Sequence, residues 1–96
     1  MIRTRDDVAP AFAKRGLPMD SAGGIERYLF DHIEPGGFLT ALLSDSLTAA
    51  LGKADLSNRA HIYEWAMLLY NDLPRAAWGS AKVVSDWLEP NYPPKG

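Results

Sequence analysis

Apolar residues recur three and four positions apart along most of the chain, which is the spacing of one face of an α-helix. The first such segment begins after Asp20 or Ser21, either of which is predicted to cap it. Its inward face is predicted to comprise Ile25, Tyr28, Leu29, His32 and Ile33. The second segment runs from about Phe38 to Leu51 and is predicted to stop at Gly52. Its inward face is predicted to comprise Leu39, Leu42, Leu43, Leu47 and Ala50.

Two further helices are predicted in the second half of the chain. One begins near Asp55, with Asp55 or Ser57 as its cap, and ends before Pro74. Because residues 65–70 are apolar nearly all round, this helix is predicted to be either the central helix of a bundle or part of a subunit contact, and a homodimer remains open. The other follows Ser80 as cap and stops at Pro90. Its inward residues are predicted to be Val84, Trp87 and Leu88.

A fifth, short helix between Asp7 and Arg15 is compatible with the sequence, where Thr4 and Asp7 give a weak capping signal. No segment alternates with the period of a β-strand, and no linker divides the chain. A length of 96 residues with 47 % hydrophobic content suits one core. The sequence therefore predicts a single all-α domain over residues 1–96: a compact bundle of four helices, with or without the fifth, and with flexible ends at 1–20 and 90–96.

Composition narrows the functional classes. The chain has no cysteine, which excludes disulfides and thiolate metal sites and favours a cytoplasmic protein. The longest apolar run, Trp65 to Tyr70, is far shorter than the roughly 20 residues that cross a bilayer, and the N-terminus lacks the apolar stretch of a secretory signal. A net charge of -2 without basic clusters argues against nucleic-acid binding.

The stretch EPGGFL predicts a sharp corner before the second helix. Pro35 ends the preceding helix, and the adjacent glycines allow a backbone that other residues avoid. The same stretch has a second interpretation, because the backbone N–H groups of Gly36, Gly37 and Phe38 could bind a phosphate at the start of a helix. The spacing and the lysine of a P-loop are absent.

The stretch Trp78-Gly79-Ser80 poses the same alternatives at the last helix. The tryptophan either anchors the start of that helix to the core or offers a platform for a base, with its phosphate at the helix start. In the second interpretation, the corners at Gly36 and Gly79 would together bind a small phosphorylated ligand or nucleotide. Arg27, Arg59 and Arg75 would supply the counter-charges.

Catalytic and metal-binding patterns are weak in this sequence. His61 and Glu64 are three apart on one helix, which is too few ligands for a metal site. His32 lies near Asp31 and Glu34 but is predicted to be a boundary residue of the core. No nucleophile, base and acid occur in the order of a triad. We therefore predict a protein without catalytic activity, metal or cofactor.

A helix-turn-helix is the third hypothesis. The stretch LTAALGKADLSNRAHIYEW follows the order helix, glycine-containing turn, helix, and offers Ser57, Asn58, Arg59 and His61 where a recognition helix would contact bases. The acidic charge balance and the lack of flanking lysines favour an ordinary helical hairpin.

The stretches ERYLFDHIEPGGFLTALLSDSLTAALGKADLSN and YNDLPRAAWGS…VSDWL resemble a family of small uncharacterised proteins encoded by bacteriophages and prophages. The matching positions are Arg27, Tyr28, Gly36, Gly37, Phe38, Leu39, Asp45, Ala54, Asp55, Asn58, Tyr70, Asn71, Pro74, Trp78, Gly79, Ser80 and Trp87. Ser46 departs from the pattern, which leaves in doubt any role for a side-chain amide there. The resemblance implies a phage context and no established activity. By analogy with other small phage proteins, we expect an accessory protein that binds a host protein, for instance of a defence system.

Aromatic residues off the inward stripes are candidates for such a contact. Phe30, Tyr63 and Tyr92 lie outside or at the edge of the predicted inward faces, and they are predicted to form an exposed patch that binds the partner.

Overall fold

The computed structural model describes residues 1–89, and all regular structure in that range is helical. Three single turns of 3₁₀-helix, Arg5–Asp7, Met19–Ser21 and Arg75–Ala77, connect the longer elements. The α-helices are α1 (Val8–Arg15), α2 (Ala22–Asp31), α3 (Gly37–Leu43), α4 (Leu47–Lys53), α5 (Leu56–Ala60), α6 (Ile62–Asp72) and α7 (Ala81–Leu88). The all-α class and the compact shape are confirmed, since the Cα radius of gyration is 12.5 Å. The predicted count of four or five helices is not confirmed, because seven occur in residues 1–89.

The helices pack around Trp65, which lies on α6 with no exposed surface. The rings of Phe12 on α1 and Phe38 on α3 contact it edge-on, with centroid distances of 5.5 and 5.8 Å. Edge-on aromatic pairs at this separation contribute about 0.5–1.5 kcal/mol beyond burial of their area. Trp65 therefore joins α1, α3 and α6 in one core.

Two helix starts predicted from capping residues are confirmed. The carboxylate of Asp55 accepts the N–H of Asn58 at 2.7 Å, and the hydroxyl of Ser80 accepts the N–H of Val83 at 3.1 Å. Ser21 does not cap α2, because it is already part of a 3₁₀ turn with helical dihedral angles, and neither does Asp20. The start of α2 is determined by that turn rather than by a side-chain oxygen.

The second predicted helix, Phe38–Leu51, is wrong as one element. It is broken between α3 and α4, where Asp45 has a φ of +61°. This left-handed residue changes the direction of the chain, so Leu47, predicted to face inward, is 57 % exposed. Gly52 lies inside α4 and does not end it.

The third predicted helix is also two elements. α5 ends at Ala60, and α6 begins at Ile62 after a non-helical His61. The imidazole Nδ1–H of His61 donates to the carbonyl of Ser57 at 2.8 Å and so satisfies a carbonyl that the interrupted helix leaves free.

The inward face predicted for α2 is confirmed only in part. Tyr28, Leu29 and Ile25 are buried. The helix ends before His32, whose φ of +56° turns the chain, and Ile33 is 50 % exposed. The periodicity continues past the end of the helix, but the backbone does not follow it.

The first 20 residues, predicted to be flexible apart from a short helix, pack against the core. Their buried side chains are Ile2, Val8, Phe12 and Leu17. The N–H of Ile2 donates to the carbonyl of Asp72 at 2.7 Å, which ties the segment to the end of α6. The predicted short helix exists as α1, and the carboxylate of Asp7 accepts the N–H groups of Arg3 and Thr4 at 2.9 and 3.0 Å. The predicted flexible end at 90–96 lies outside the described residues.

Candidate functional site

The outer face of α6 is apolar. Trp65, Leu68 and Leu69 of this helix are buried, and at about 100° per residue the opposite side carries Tyr63, Met67 and Tyr70. Tyr63 is 67 % exposed and Tyr70 is 75 % exposed. We refer to Tyr63, Met67 and Tyr70 as the α6 stripe. The inner face of α6 is core, as expected of a central helix, and its outer face is apolar surface. The alternative, a subunit contact, stays a prediction.

A groove of about 310 Å³ runs beside the α6 stripe. It lies between α6 and the connection from α3 to α4, and most of its lining is apolar. The lining residues are Leu42, Asp45, Ser46, Leu47, Ala66, Met67, Leu69, Tyr70 and Trp78. The groove could not be predicted from the sequence, because its walls come from segments about 25 positions apart that only packing brings together.

A second concave surface of about 410 Å³ lies where the N-terminal segment meets α2 and α7, and we call it the N-terminal cleft. Its lining residues are Met1, Ile2, Arg3, Leu29, Phe30, His32, Pro74 and Trp87. Hydrogen bonds order its floor, because the indole N–H of Trp87 donates to the carbonyl of Tyr28 at 2.9 Å and the imidazole Nδ1–H of His32 donates to the carbonyl of Trp87 at 2.5 Å. His32 is thus a boundary residue, as predicted from the sequence.

Phe30 forms part of the wall of this cleft and is half-buried, whereas the sequence predicted an exposed ring. The guanidinium of Arg5 lies 5.6 Å from the centre of the ring, in the range of a cation–π contact. Asp31 forms a salt bridge with Arg5, and a carboxylate oxygen of Glu26 lies 3.6 Å from the guanidinium of Arg5. The hydrogen bond from Arg5 lowers the pKa of Asp31, and the same bond raises the pKa of Arg5. Phe30 therefore lies beneath an anchored cation.

The three residues predicted to bind a partner do not form one patch within the described residues. Tyr63 borders a different concavity from Phe30, together with Lys14, Arg15 and Glu64. Tyr92 lies outside the described residues.

The corner at Gly36 has the backbone that the sequence predicted. Gly36 has a φ of +97°, and Gly37 begins α3. These glycines, Phe38 and Arg27 line one concavity of about 330 Å³, to which Asp20 adds a carboxylate. A Cβ on Gly37 would lie 3.2 Å from the side chain of Lys53, so the absence of a side chain permits that approach.

The corner at Trp78 lies at the other end of α3. The N–H of Gly79 donates to the carbonyl of Leu43 at 2.8 Å, the last residue of that helix. Seven helical residues span about 10 Å. The guanidinium of Arg75 stacks 4.3 Å from the ring of Trp78, and Ser80 caps α7. These contacts match the prediction that Trp78 anchors the start of the last helix. The Gly36 corner and the Trp78 corner line different concavities and do not form one site.

The segment considered for DNA binding contains a helix of five residues, α5. Arg59 is exposed on it, whereas Asn58 is half-buried beside the Gly36 corner. The ring of His61 is engaged with the backbone carbonyl of Ser57.

A buried ionic contact joins α1 to the end of α6, and the sequence pattern gave no signal for it. Asp72 is 6 % exposed and accepts a hydrogen bond from Nε of Arg15 at 2.9 Å. The terminal ammonium group of Met1 lies 4.0 Å from the same carboxylate. The hydrogen bond to Asp72 raises the pKa of Arg15. Within residues 1–89 no group of three or more metal-ligating side chains occurs.

The searches against protein-family models, curated proteins and solved structures returned no match for this chain. Among the helices of residues 1–89, none has the length and apolar character needed to span a bilayer.

Proposed function

We propose that this chain is a non-enzymatic phage or prophage accessory protein that acts by binding a host protein at the N-terminal cleft. The observation that supports this proposal is the apolar lining of the cleft beside Arg3, an exposed cation that forms no ion pair within residues 1–89. Such a surface suits a partner segment with apolar side chains next to an aspartate or glutamate. The sequence resemblance supports the phage context, and inhibition of a host defence system is the role that we propose for the complex.

The order within the cleft supports binding rather than simple exposure. Phe30 lies beneath Arg5, which Asp31 anchors, and the ring of Trp87 is positioned by its hydrogen bond to α2. Aromatic side chains that are already ordered lose less conformational entropy when a partner binds. Among interface residues, aromatic and arginine side chains carry the largest share of binding free energy.

The proposal can be tested by capture from bacterial lysate. Since the chain contains no cysteine, a Ser57→Cys variant provides one attachment point on exposed α5 that leaves both chain ends unmodified. The captured proteins are identified by mass spectrometry. Arg3→Glu, made in this background, reverses the free charge at the cleft, and Arg59→Glu is the matched control at an exposed arginine that does not line the cleft.

We expect one host protein to be retained by the parent and by Arg59→Glu, and to be lost with Arg3→Glu. Phe30→Ala should also reduce capture, whereas Tyr63→Ala should not, because Tyr63 borders another concavity. Circular dichroism establishes that each variant is folded. Equal capture by the Arg3→Glu and Arg59→Glu variants would show that the cleft is not the binding surface.

A further inference from the structure

The α6 stripe has no covering element within the described residues. On the solvent side of a helix in a monomeric protein, charged and polar residues are the norm. Here Tyr63, Met67 and Tyr70 point away from the buried Trp65 and Leu68, and the two tyrosines are among the most exposed large hydrophobic side chains. On α4, Leu47 and Leu51 are 57 % and 39 % exposed. Leu47 lines the same groove as Met67 and Tyr70, and exposed apolar residues that adjoin one another mark an interaction site.

The two sides of the stripe differ in charge. On one side Met67 borders a concavity with Lys14, Arg15 and Glu64. Arg15 is neutralised by Asp72. Of the two remaining charged residues, Lys14 is exposed whereas Glu64 is half-buried, so Lys14 is the charge that this side offers to a partner. On the other side Ala66 and Tyr70 face the α3–α4 connection, where Asp45 is exposed. Neither Lys14 nor Asp45 forms an ion pair within residues 1–89.

This arrangement is self-complementary. A two-fold axis parallel to α6 in the plane of contact places the stripes of two copies face to face. The same operation sets the Lys14 side of each copy against the Asp45 side of the other, which is the reciprocal contact of a closed dimer. We propose that a second copy of this chain covers the α6 stripe, with α6 parallel to α6 and Lys14 opposite Asp45 of the partner.

The first test is the mass of the wild-type protein in solution, measured by sedimentation velocity over a wide range of concentration. We expect a dimer. Tyr70→Lys places a charge on each side of the contact and should raise the dimer dissociation constant at least about tenfold. Leu56→Lys is the matched control, because Leu56 is 77 % exposed on α5 and lies off the stripe. It should dimerise like the wild type.

The orientation is tested by exchanging the two charges. Lys14→Glu should weaken the dimer, and the double variant Lys14→Glu/Asp45→Lys should restore it. Because Asp45 has a positive φ, the melting temperature of each variant is measured to exclude unfolding. Failure of the double variant to recover dimerisation, while it remains folded, overturns the proposed orientation.

Two other results overturn the assignment of the surface. If the wild-type protein is monomeric at all concentrations, a second copy does not cover the α6 stripe. If that monomer captures a host protein through Tyr70, the host protein is the partner of the stripe instead. A dimer that persists in Tyr70→Lys lies on another surface. None of these results depends on the N-terminal cleft, because Arg3 and Phe30 lie outside the stripe.

Discussion

The hydroxyl of Tyr28 should be a major determinant of stability, and Tyr28→Phe tests it with a change of one atom. This side chain has no exposed surface, and its hydroxyl donates to the carbonyl of Ala77 at 2.7 Å. The bond joins α2 to the 3₁₀ turn that leads to α7, across 49 positions of sequence. Because Ala77 is also fully buried, water cannot replace the lost donor without rearrangement.

The expected cost follows from the carbonyl that the substitution leaves without a partner. A buried, unsatisfied polar group costs about 1–3 kcal/mol, and we expect about 1.5 kcal/mol here. For a domain of this size, that free energy corresponds to a decrease of roughly 6–12 °C in Tm. The measurement is thermal unfolding followed by far-UV circular dichroism. Tyr63→Phe is the control, because its exposed hydroxyl should leave stability within about 0.5 kcal/mol of the wild type.

Titration at alkaline pH gives a second measurement of the same group. Burial raises the pKa of Tyr28 above its usual value. The folded state therefore favours the neutral phenol, and its contribution to stability is complete below the unfolded pKa of about 10 and is lost as the pH rises through the higher folded value. The difference in Tm between wild type and Tyr28→Phe should therefore narrow as the pH rises above about 10. Equal Tm values at neutral pH would refute the hydrogen bond.

Three further predictions concern local structure. Hydrogen bonds from the backbone N–H groups of Arg3 and Thr4 lower the pKa of Asp7, so the stabilisation by its carboxylate should be present above about pH 4 and be lost as the pH falls. The Tm should therefore fall less steeply with acidic pH for Asp7→Asn than for wild type. An unchanged slope would contradict this account. Ser80→Ala removes a helix cap and should cost about 1 kcal/mol in denaturant unfolding, whereas Ser21→Ala, at a position without a cap bond, should cost far less. Gly36→Ala should destabilise the protein by about 1–3 kcal/mol, because the φ of +97° and ψ of 172° at this position strain any other residue. Gly52→Ala lies in a helix with open space around it and should stabilise the protein by about 0.5–1 kcal/mol. The opposite order of Tm would refute both assignments.

The helical class, the capping residues Asp55 and Ser80, and the corner at Gly36 could be predicted from the sequence. Each depends on interactions within a few residues, such as the bond between Asp55 and the N–H of Asn58, or the positive φ that glycine accepts. Periodicity also identified which side of α2 is buried, since Ile25 and Tyr28 lie in the core. Features that depend on neighbouring residues can therefore be predicted from the sequence.

The breaks within helices and the positions of the surfaces were decided by tertiary packing. The apolar spacing runs through Asp45 without interruption, yet the chain turns there, and Leu47 faces outward. The N-terminal cleft and the α6 stripe likewise depend on which helix faces pack together, as do the contacts of Arg15 with Asp72 and of Tyr28 with Ala77. These pairs lie 57 and 49 positions apart. Periodicity records which positions are apolar, but the partner that covers each position is selected only when the whole chain packs into one core.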